Sequence, residues 1–211
     1  SSSSAASDVY KRQMERFIMQ DLIAWKNRKD RKPLILLGAR QVGKTYILKE
    51  FGQREFENVA YINCDNNAMA KDLFASDYNI DRILLTIGAI TGVNIEAGKT
   101  LIIMDEIQEL HRGLASLKYF CENAREYHVA VAGSLLGLPL HQGESYPVGK
   151  VNTLEMYPMT FEEFLWARGF KQRMDLLQHG MWDVVKSLRT LYIQHLSLIH
   201  ISEPTRLALI S

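Results

Sequence analysis

One short segment, LILLGARQVGKT at residues 34 to 45, carries the residue types that bind a triphosphate. Its spacing of Gly38, four further residues, Gly43, Lys44 and Thr45 is the Walker A pattern. The two glycines lack a Cβ, so the backbone can take positive φ and bring successive N–H groups close to phosphate oxygens. We expect Lys44 to reach the β and γ phosphates of ATP and the Thr45 hydroxyl to coordinate Mg²⁺. The segment therefore predicts a site for Mg-ATP.

The whole turn is expected to surround the phosphates, between a strand at residues 34 to 37 and a helix that begins KTYILKEF. The N-terminus of that helix directs its positive end at the same phosphates, and Gly52 is expected to end it. The alternative is a coincidental glycine-rich turn. The strand before the turn and the helix after it favour the phosphate-binding interpretation. The predicted ATP-binding residues are Gly38, Ala39, Arg40, Gln41, Val42, Gly43, Lys44 and Thr45.

Two acidic residues follow the apolar run TLIIM at residues 100 to 104. A run that is apolar on both faces predicts a central parallel strand, and ligands bind at the carboxyl ends of such strands. Asp105 is therefore expected to hold Mg²⁺, and Glu106 to act as general base on the attacking water, as in a Walker B element. Alone, the two acids would suit a helix cap; the Walker A pattern favours ATP chemistry.

A third candidate is Ser134, at the end of the buried run HVAVAGS (residues 128 to 134). A strand there places Ser134 beside the Walker B acids, where it would sense the γ phosphate or fix the attacking water. Ordinary turn chemistry explains the residue equally well. The predicted catalytic residues are thus Glu106, Lys44 and Ser134.

The other segments supply the elements of an α/β fold. Apolar residues at helical spacing predict helices from Met14, over 79 to 91 with Gly92 at the stop, over 113 to 125, and over 174 to 195. Residues 58 to 65 and 150 to 159 read as strands. Thr160, followed by Glu163, fits the capping box of a further helix.

Composition limits the class of protein. The chain has 211 residues, of which 47% are hydrophobic and 23% charged, and a formal charge of +1. These values suit a globular domain and argue against a general polyanion-binding surface. The cationic stretch 26 to 32 is expected to be a solvated turn rather than a nucleic-acid patch. Two cysteines without metal-site spacing, and the lack of a membrane-spanning run or signal sequence, indicate a cytoplasmic protein.

The two ends of the chain differ from what lies between them. Residues 1 to 13, SSSSAASDVYKRQ, and 196 to 211, LSLIHISEPTRLALIS, resemble translated adapter sequence. A natural Ser-rich tail and a natural apolar C-terminus are the alternatives. We expect both ends to be non-native, with Met14 as the true start.

Four segments together, GARQVGKT, IIMDEIQ, VAGSLL and VGKVNTLEMYPMTFEEFL, resemble a bacterial and archaeal family of AAA-type ATP-binding proteins. In that family the ATPase domain precedes a C-terminal domain of unknown function. The resemblance implies a three-layer α/β/α P-loop fold with a mainly parallel sheet of order 5-1-4-3-2, and it puts Ser134 at the sensor position. It implies an ATPase domain over 14 to 170 and a truncated helical region over 171 to 195. Lys150 departs from the arginine expected after the glycine.

Three functions fit these features: an ATPase that switches or remodels a partner, a nucleotide-dependent binding module, and a small-molecule kinase. A kinase would more often carry an Arg-rich lid, whereas Glu106 beside Asp105 fits the activation of water. ATP hydrolysis is therefore the predicted reaction, with ATP and Mg²⁺ as cofactors. The predicted partner is a protein or DNA, and a homo-oligomer is possible.

Overall fold

The computed structural model describes residues 16–65, 67–74, 77–134, 146–167 and 182–201. The chain divides into two units. The larger unit comprises Ile18–Ala39 and Gly43–Tyr157. The smaller unit comprises Arg40–Val42 together with the described residues of Ser1–Phe17 and Pro158–Ser211.

A five-stranded parallel sheet forms the centre of the larger unit. Its strands are β1 (Leu34–Gly38), β2 (Asn58–Asn63), β3 (Thr100–Asp105), β4 (His128–Ser134) and β5 (Asn152–Met156). Their order is β2-β3-β4-β1-β5, and every neighbouring pair is parallel. This confirms the predicted order 5-1-4-3-2.

Burial along the strands follows their place in the sheet. Every residue of β3 is buried, as the continuous apolar run predicts for a strand covered on both faces. The edge strand β5 alternates between half-buried and exposed residues until Met156. Parallel pairing then brings the carboxyl ends of β1, β3 and β4 to one edge of the sheet, which is the edge where ligands bind in such folds.

Helix α4 (Ile80–Thr91) of the larger unit begins and ends at the predicted signals. Asn79 caps α4, since its Oδ1 accepts from the Arg82 N–H at 3.0 Å. Gly92 ends the same helix with a left-handed φ of 69°. The helices are α1 (Ile18–Lys26), α2 (Lys44–Glu55), α3 (Ala68–Lys71), α4 (Ile80–Thr91) and α5 (Gly113–Asn123), with a 3₁₀ turn at Ile107–Glu109.

A buried apolar cluster joins the sheet to α3, α4 and α5. Ile102 and Val131 from the strands pack in the same buried cluster as Ile83 of α4 and Phe120 of α5. Phe51 of α2 is also fully buried. Burial of apolar surface of this kind is the dominant favourable contribution to folding.

Several side chains of the cationic turn at residues 26 to 32 form contacts within the protein. Exposed Arg28 pairs with Asp30 at 3.0 Å. Arg31 Nη2 donates to the Arg125 carbonyl, and Lys32 Nζ donates to the Gly149 carbonyl at 2.7 Å. The turn therefore uses part of its charge in internal contacts.

The prediction that Gly52 ends α2 is wrong. The helix continues to Glu55, and the Phe56 N–H bonds to the Gly52 carbonyl at 3.0 Å. A Cβ at Gly52 would lie 2.6 Å from Val59 Cγ2 and 3.2 Å from Leu101 Cδ2. Glycine is needed here because the helix approaches β2 and β3 too closely for a side chain.

We therefore predict that Gly52→Ala destabilises the protein, although alanine normally stabilises a helix interior. Val59 is β-branched and cannot easily turn away. Overpacking should lower the free energy of unfolding by about 1 to 3 kcal/mol. Thermal unfolding measures the effect, with exposed Gln53→Ala on the same helix as the control. A midpoint for Gly52→Ala at or above the wild-type value would contradict the assigned contact.

The smaller unit contains α6 (Phe161–Ala167) and α7 (Trp182–Ile201). The predicted capping box opens α6: the Glu163 N–H donates to Thr160 Oγ1 at 3.1 Å, and the Thr160 N–H donates to Glu163 Oε2 at 2.8 Å. Tyr192 of α7 packs against the rings of Phe161 and Phe164 and donates to the Met159 carbonyl. These contacts join the two helices.

Several further predictions concern the two ends of the chain, the loop 137 to 149 and the last helix. Residues 1 to 13, Met14 and residues 202 to 211 lie outside the described residues, as does most of the predicted loop 137 to 149. Helix α7 extends over Trp182–Ile201 and runs across residue 196, where the native sequence is predicted to end; the predicted helix start at residue 174 lies outside the described residues. The domain boundaries stay predictions. No helix in the described ranges has the length and apolar character of a membrane span.

Candidate functional site

The Walker A residues lie where β1 ends and α2 begins. Gly38 is the last residue of β1, and Lys44 is the first residue of α2. Gly43 adopts a left-handed conformation with φ 95°. Another residue type would be strained there, so this glycine has the conformational role that the motif predicts.

Gly38 does not adopt positive φ, although glycine permits it, and the loop residue that does so besides Gly43 is Gln41, with φ 63°. Gly38 is held in extended pairing on both sides, opposite Ser134 of β4 and Met156 of β5. A left-handed non-glycine residue costs about 1 to 3 kcal/mol and is typical of functional sites. The motif pattern gives no signal for this position.

Lys44 is buried, with 6% of its surface exposed. Its ammonium donates to the carbonyls of Gly38 at 2.8 Å and Ala39 at 2.7 Å. A buried cation needs such partners, because an uncompensated charge away from water is costly. The contacts hold the charge beside the turn that is predicted to bind phosphate.

Thr45 and Asp105 are brought together from positions 60 residues apart. The Thr45 hydroxyl donates to Asp105 Oδ2 at 2.5 Å, and the Tyr61 hydroxyl donates to the same oxygen at 3.2 Å. A hydroxyl and a carboxylate oxygen are ligands of the kind that Mg²⁺ prefers, so these donors fit the ion. Among the described residues, no three His, Cys, Asp or Glu side chains converge on a metal site.

Burial and the Asp105 carboxylate together raise the pKa of two nearby groups. Burial raises the pKa of Tyr61 to about 12, with a further contribution from the negative charge of Asp105. The pKa of the Cys64 thiol is likewise raised to about 12, by burial first and then by Asp105 and Glu106. Both groups are therefore neutral near pH 7. Cys64 also donates its backbone N–H to the Asp105 carbonyl at 2.9 Å.

Glu106 follows directly and adopts a left-handed conformation with φ 53°. Its backbone N–H bonds to Asp105 Oδ1 at 3.2 Å. Its carboxylate Oε2 accepts a hydrogen bond from Gln108 Nε2. Gln108 is a site residue that the sequence reasoning missed; the only signal was its position two residues after the acid in IIMDEIQ.

Ser134 ends β4, which lies between β3 and β1 in the sheet. Its backbone pairs with Gly38, the first residue of the Walker A pattern. The strand order thus supports the predicted placement, and the sensor role stays a prediction. Lys150, which replaces the expected arginine, forms an ion pair with Glu122 at 2.8 Å.

A family model described as an AAA domain matches residues 30–165. No curated protein matches the sequence.

Two solved structures are similar to the chain. The Aeropyrum pernix ORC1 protein in complex with DNA is 14% identical, with a TM-score of 0.46 over 73% of this chain and 47% of that one. C. elegans PCH-2 is 12% identical, with a TM-score of 0.46 over 82% of this chain and 51% of that one. The chain spans about half the length of these proteins.

The family match extends over most of the chain and includes both groups of residues described above. It begins before β1 and the Walker A loop, continues through Asp105 and Glu106, and ends within α6. The chain belongs to the AAA-domain family of P-loop ATPases.

Proposed function

We propose that this protein binds Mg-ATP at the Walker A loop and hydrolyses it to switch or remodel a partner. The observation that carries the proposal is the 2.5 Å hydrogen bond between Thr45 and Asp105. It joins the phosphate-loop helix to the strand that ends in the two acids. Such an arrangement fits a nucleotide whose phosphates and metal are held between the two motifs.

Phosphate binding is proposed for the loop at residues 38 to 45. Lys44 would donate to the β and γ phosphates from the position that its carbonyl contacts now define. The left-handed Gln41 and Gly43 are suited to turning backbone N–H groups toward anionic oxygens. The N-terminus of α2 adds the positive end of a twelve-residue helix.

Thr45 and Asp105 would hold Mg²⁺. When bound, the ion supplies positive charge that neutralises the phosphate oxygens during transfer. Tyr61 supports the site from β2 through its hydrogen bond to Asp105 Oδ2. This bond limits the rotation of the carboxylate.

Glu106 would act as general base. Its carboxylate accepts a proton from water as the water oxygen forms a bond to the γ phosphorus. The bond from that phosphorus to the bridging oxygen breaks, and ADP leaves with the bonding electrons. Gln108 orients the carboxylate through Oε2, and Ser134 at the end of β4 is proposed to sense the γ phosphate.

The partner is proposed to be a protein or DNA, and a homo-oligomer is compatible with an AAA domain. An ATPase is favoured over a passive binding module by the position of Glu106 next to Asp105. The internal pairing of the cationic turn offers no particular support for DNA. The ATPase domain is proposed to extend over residues 14 to 170.

Phosphate release from ATP tests the proposal, measured with Mg²⁺ and with a chelator, in the presence and absence of DNA. We predict metal-dependent release that Asp105→Asn reduces, with a higher Mg²⁺ concentration required for half-maximal rate, because one carboxylate ligand is lost. Asp65→Asn, in the exposed turn after β2, is the control for removing an acid. Release that is equally fast with a chelator, or a metal requirement unchanged in Asp105→Asn, would contradict the assignment.

A further inference from the structure

A buried ion pair in the smaller unit joins residues 147 positions apart. Arg16 Nε donates to Glu163 Oε1 at 3.1 Å, and the two side chains are 6% and 5% exposed. Burying two charges is costly unless geometry and further hydrogen bonds compensate for the lost water. The pair therefore needs a full set of partners, and these partners indicate what it does.

Both oxygens of the Glu163 carboxylate are occupied by fixed donors. Oε1 also accepts from the Phe17 N–H at 2.9 Å, and Oε2 accepts from the Thr160 N–H at 2.8 Å. The carboxylate cannot rotate without losing at least one of these bonds. Glu163 thus provides a rigid anchor for the Arg16 guanidinium.

The opposite side of the guanidinium contacts the Walker A loop. Arg16 Nη1 donates to the Val42 carbonyl at 3.2 Å. A planar guanidinium can bridge a carboxylate and a carbonyl through two N–H groups in a fixed geometry, which an ammonium cannot do. Glu163 therefore fixes Arg16, and Arg16 fixes the Val42 carbonyl.

The direction of the next N–H group follows from the planarity of the peptide bond. The described peptide bonds are all trans, and in a trans peptide the carbonyl and the N–H point in opposite directions. A donor that fixes the Val42 carbonyl therefore also fixes the direction of the Gly43 N–H. At this position of a Walker A loop, the backbone N–H is a phosphate donor.

We propose that Arg16 is a positioning residue for nucleotide binding, which holds the Val42–Gly43 peptide in its phosphate-binding orientation and is itself held by Glu163. The assignment rests on the proposed function, because it requires ATP at the Walker A loop. The affinity of the loop for phosphate would then depend on Arg16, in the segment before α1, and on Glu163, in the capping box of α6.

Titration of Mg-ATP into the full chain tests the proposal in wild type, Arg16→Lys and Arg16→Ala. Lysine keeps the charge beside Glu163 and loses the second N–H contact. We expect both variants to bind ATP about tenfold more weakly, the loss typical of one hydrogen bond to a charged group. Arg28→Ala, which removes an exposed arginine paired with Asp30, is the control and should bind normally.

A second measurement separates positioning from general stability. The amide resonance of Gly43 should shift in Arg16→Lys. The substitution Glu163→Gln should weaken ATP binding when it is made in the wild-type protein. When it is added to Arg16→Ala, it should cause no further loss of affinity. Wild-type affinity in a folded Arg16→Lys protein with an unshifted Gly43 resonance would overturn the positioning role. Failure of the wild type to bind Mg-ATP would instead refute the proposed function.

Discussion

Replacing Glu106 with glutamine is expected to lower the rate of ATP hydrolysis by about 10²- to 10⁴-fold while ATP binding is retained. Glutamine keeps the shape and the hydrogen-bonding reach of the side chain, and it removes the group that accepts the proton. The loss corresponds to roughly 3 to 5 kcal/mol of barrier, which steady-state phosphate release measures readily. The left-handed backbone at Glu106 and the contact with Gln108 should be preserved, because neither depends on the negative charge.

Exposed Glu109, three residues further on, provides the matched control. Glu109→Gln removes an equal charge from the same segment and should hydrolyse ATP at close to the wild-type rate. If Glu106→Gln also hydrolysed ATP at that rate, Glu106 would be an ordinary acid at the start of a 3₁₀ turn, and another group would have to activate the water.

Replacing Lys44 with alanine is expected to weaken ATP binding by about 10- to 100-fold. A hydrogen bond to a charged group contributes about 1.5 to 3 kcal/mol, and each 1.4 kcal/mol is a factor of ten in affinity. The variant also removes the donor that the Gly38 and Ala39 carbonyls now share. A thermal midpoint should therefore be measured beside the affinity, and Lys29→Ala at an exposed position is the control.

Unchanged ATP affinity in folded Lys44→Ala would show that the loop does not bind the β and γ phosphates. Weaker ATP binding with a normal thermal midpoint would show that the loop does bind these phosphates. If both the ATP affinity and the thermal midpoint of Lys44→Ala fall, the titration should be done well below the midpoint. The variant is folded there, so the titration measures the effect on ATP binding alone.

The sheet and the two Walker motifs were predictable because each depends on local sequence. Apolar runs at 100 to 104 and 128 to 134 identify buried parallel strands, and the polar residues after them mark the carboxyl edge. The Thr160 and Glu163 capping box was predictable for the same reason, since both residues lie within one helical turn. The strand order came from the family resemblance rather than from the residues.

The features that sequence reasoning missed depend on contacts between distant residues. Gly52 reads as a helix stop, and only the approach of Val59 and Leu101 shows that it is a packing position. The left-handed conformation belongs to Gln41 rather than to Gly38, because sheet pairing holds Gly38 extended on both sides. Gln108 is an exception, because its contact with Glu106 is local, but the residue carries no recognisable pattern of its own.

The role of Arg16 also depends on contacts between residues that are distant in the sequence. Its partners are a carboxylate 147 residues later and a carbonyl 26 residues later. In the sequence it is one of several cations before the first strand. Burial of its guanidinium could be recognised only after the fold had brought these segments together.

Calorimetric titration of Mg-ATP into wild type, Glu106→Gln and Lys44→Ala side by side tests most directly the claim that the Walker A loop binds ATP, with Lys44 needed for binding and Glu106 not needed for it. We predict saturable binding of similar affinity to wild type and Glu106→Gln, and binding to Lys44→Ala that is weaker by about 10- to 100-fold. Equal affinity in all three folded proteins, or no binding to wild type, would contradict it.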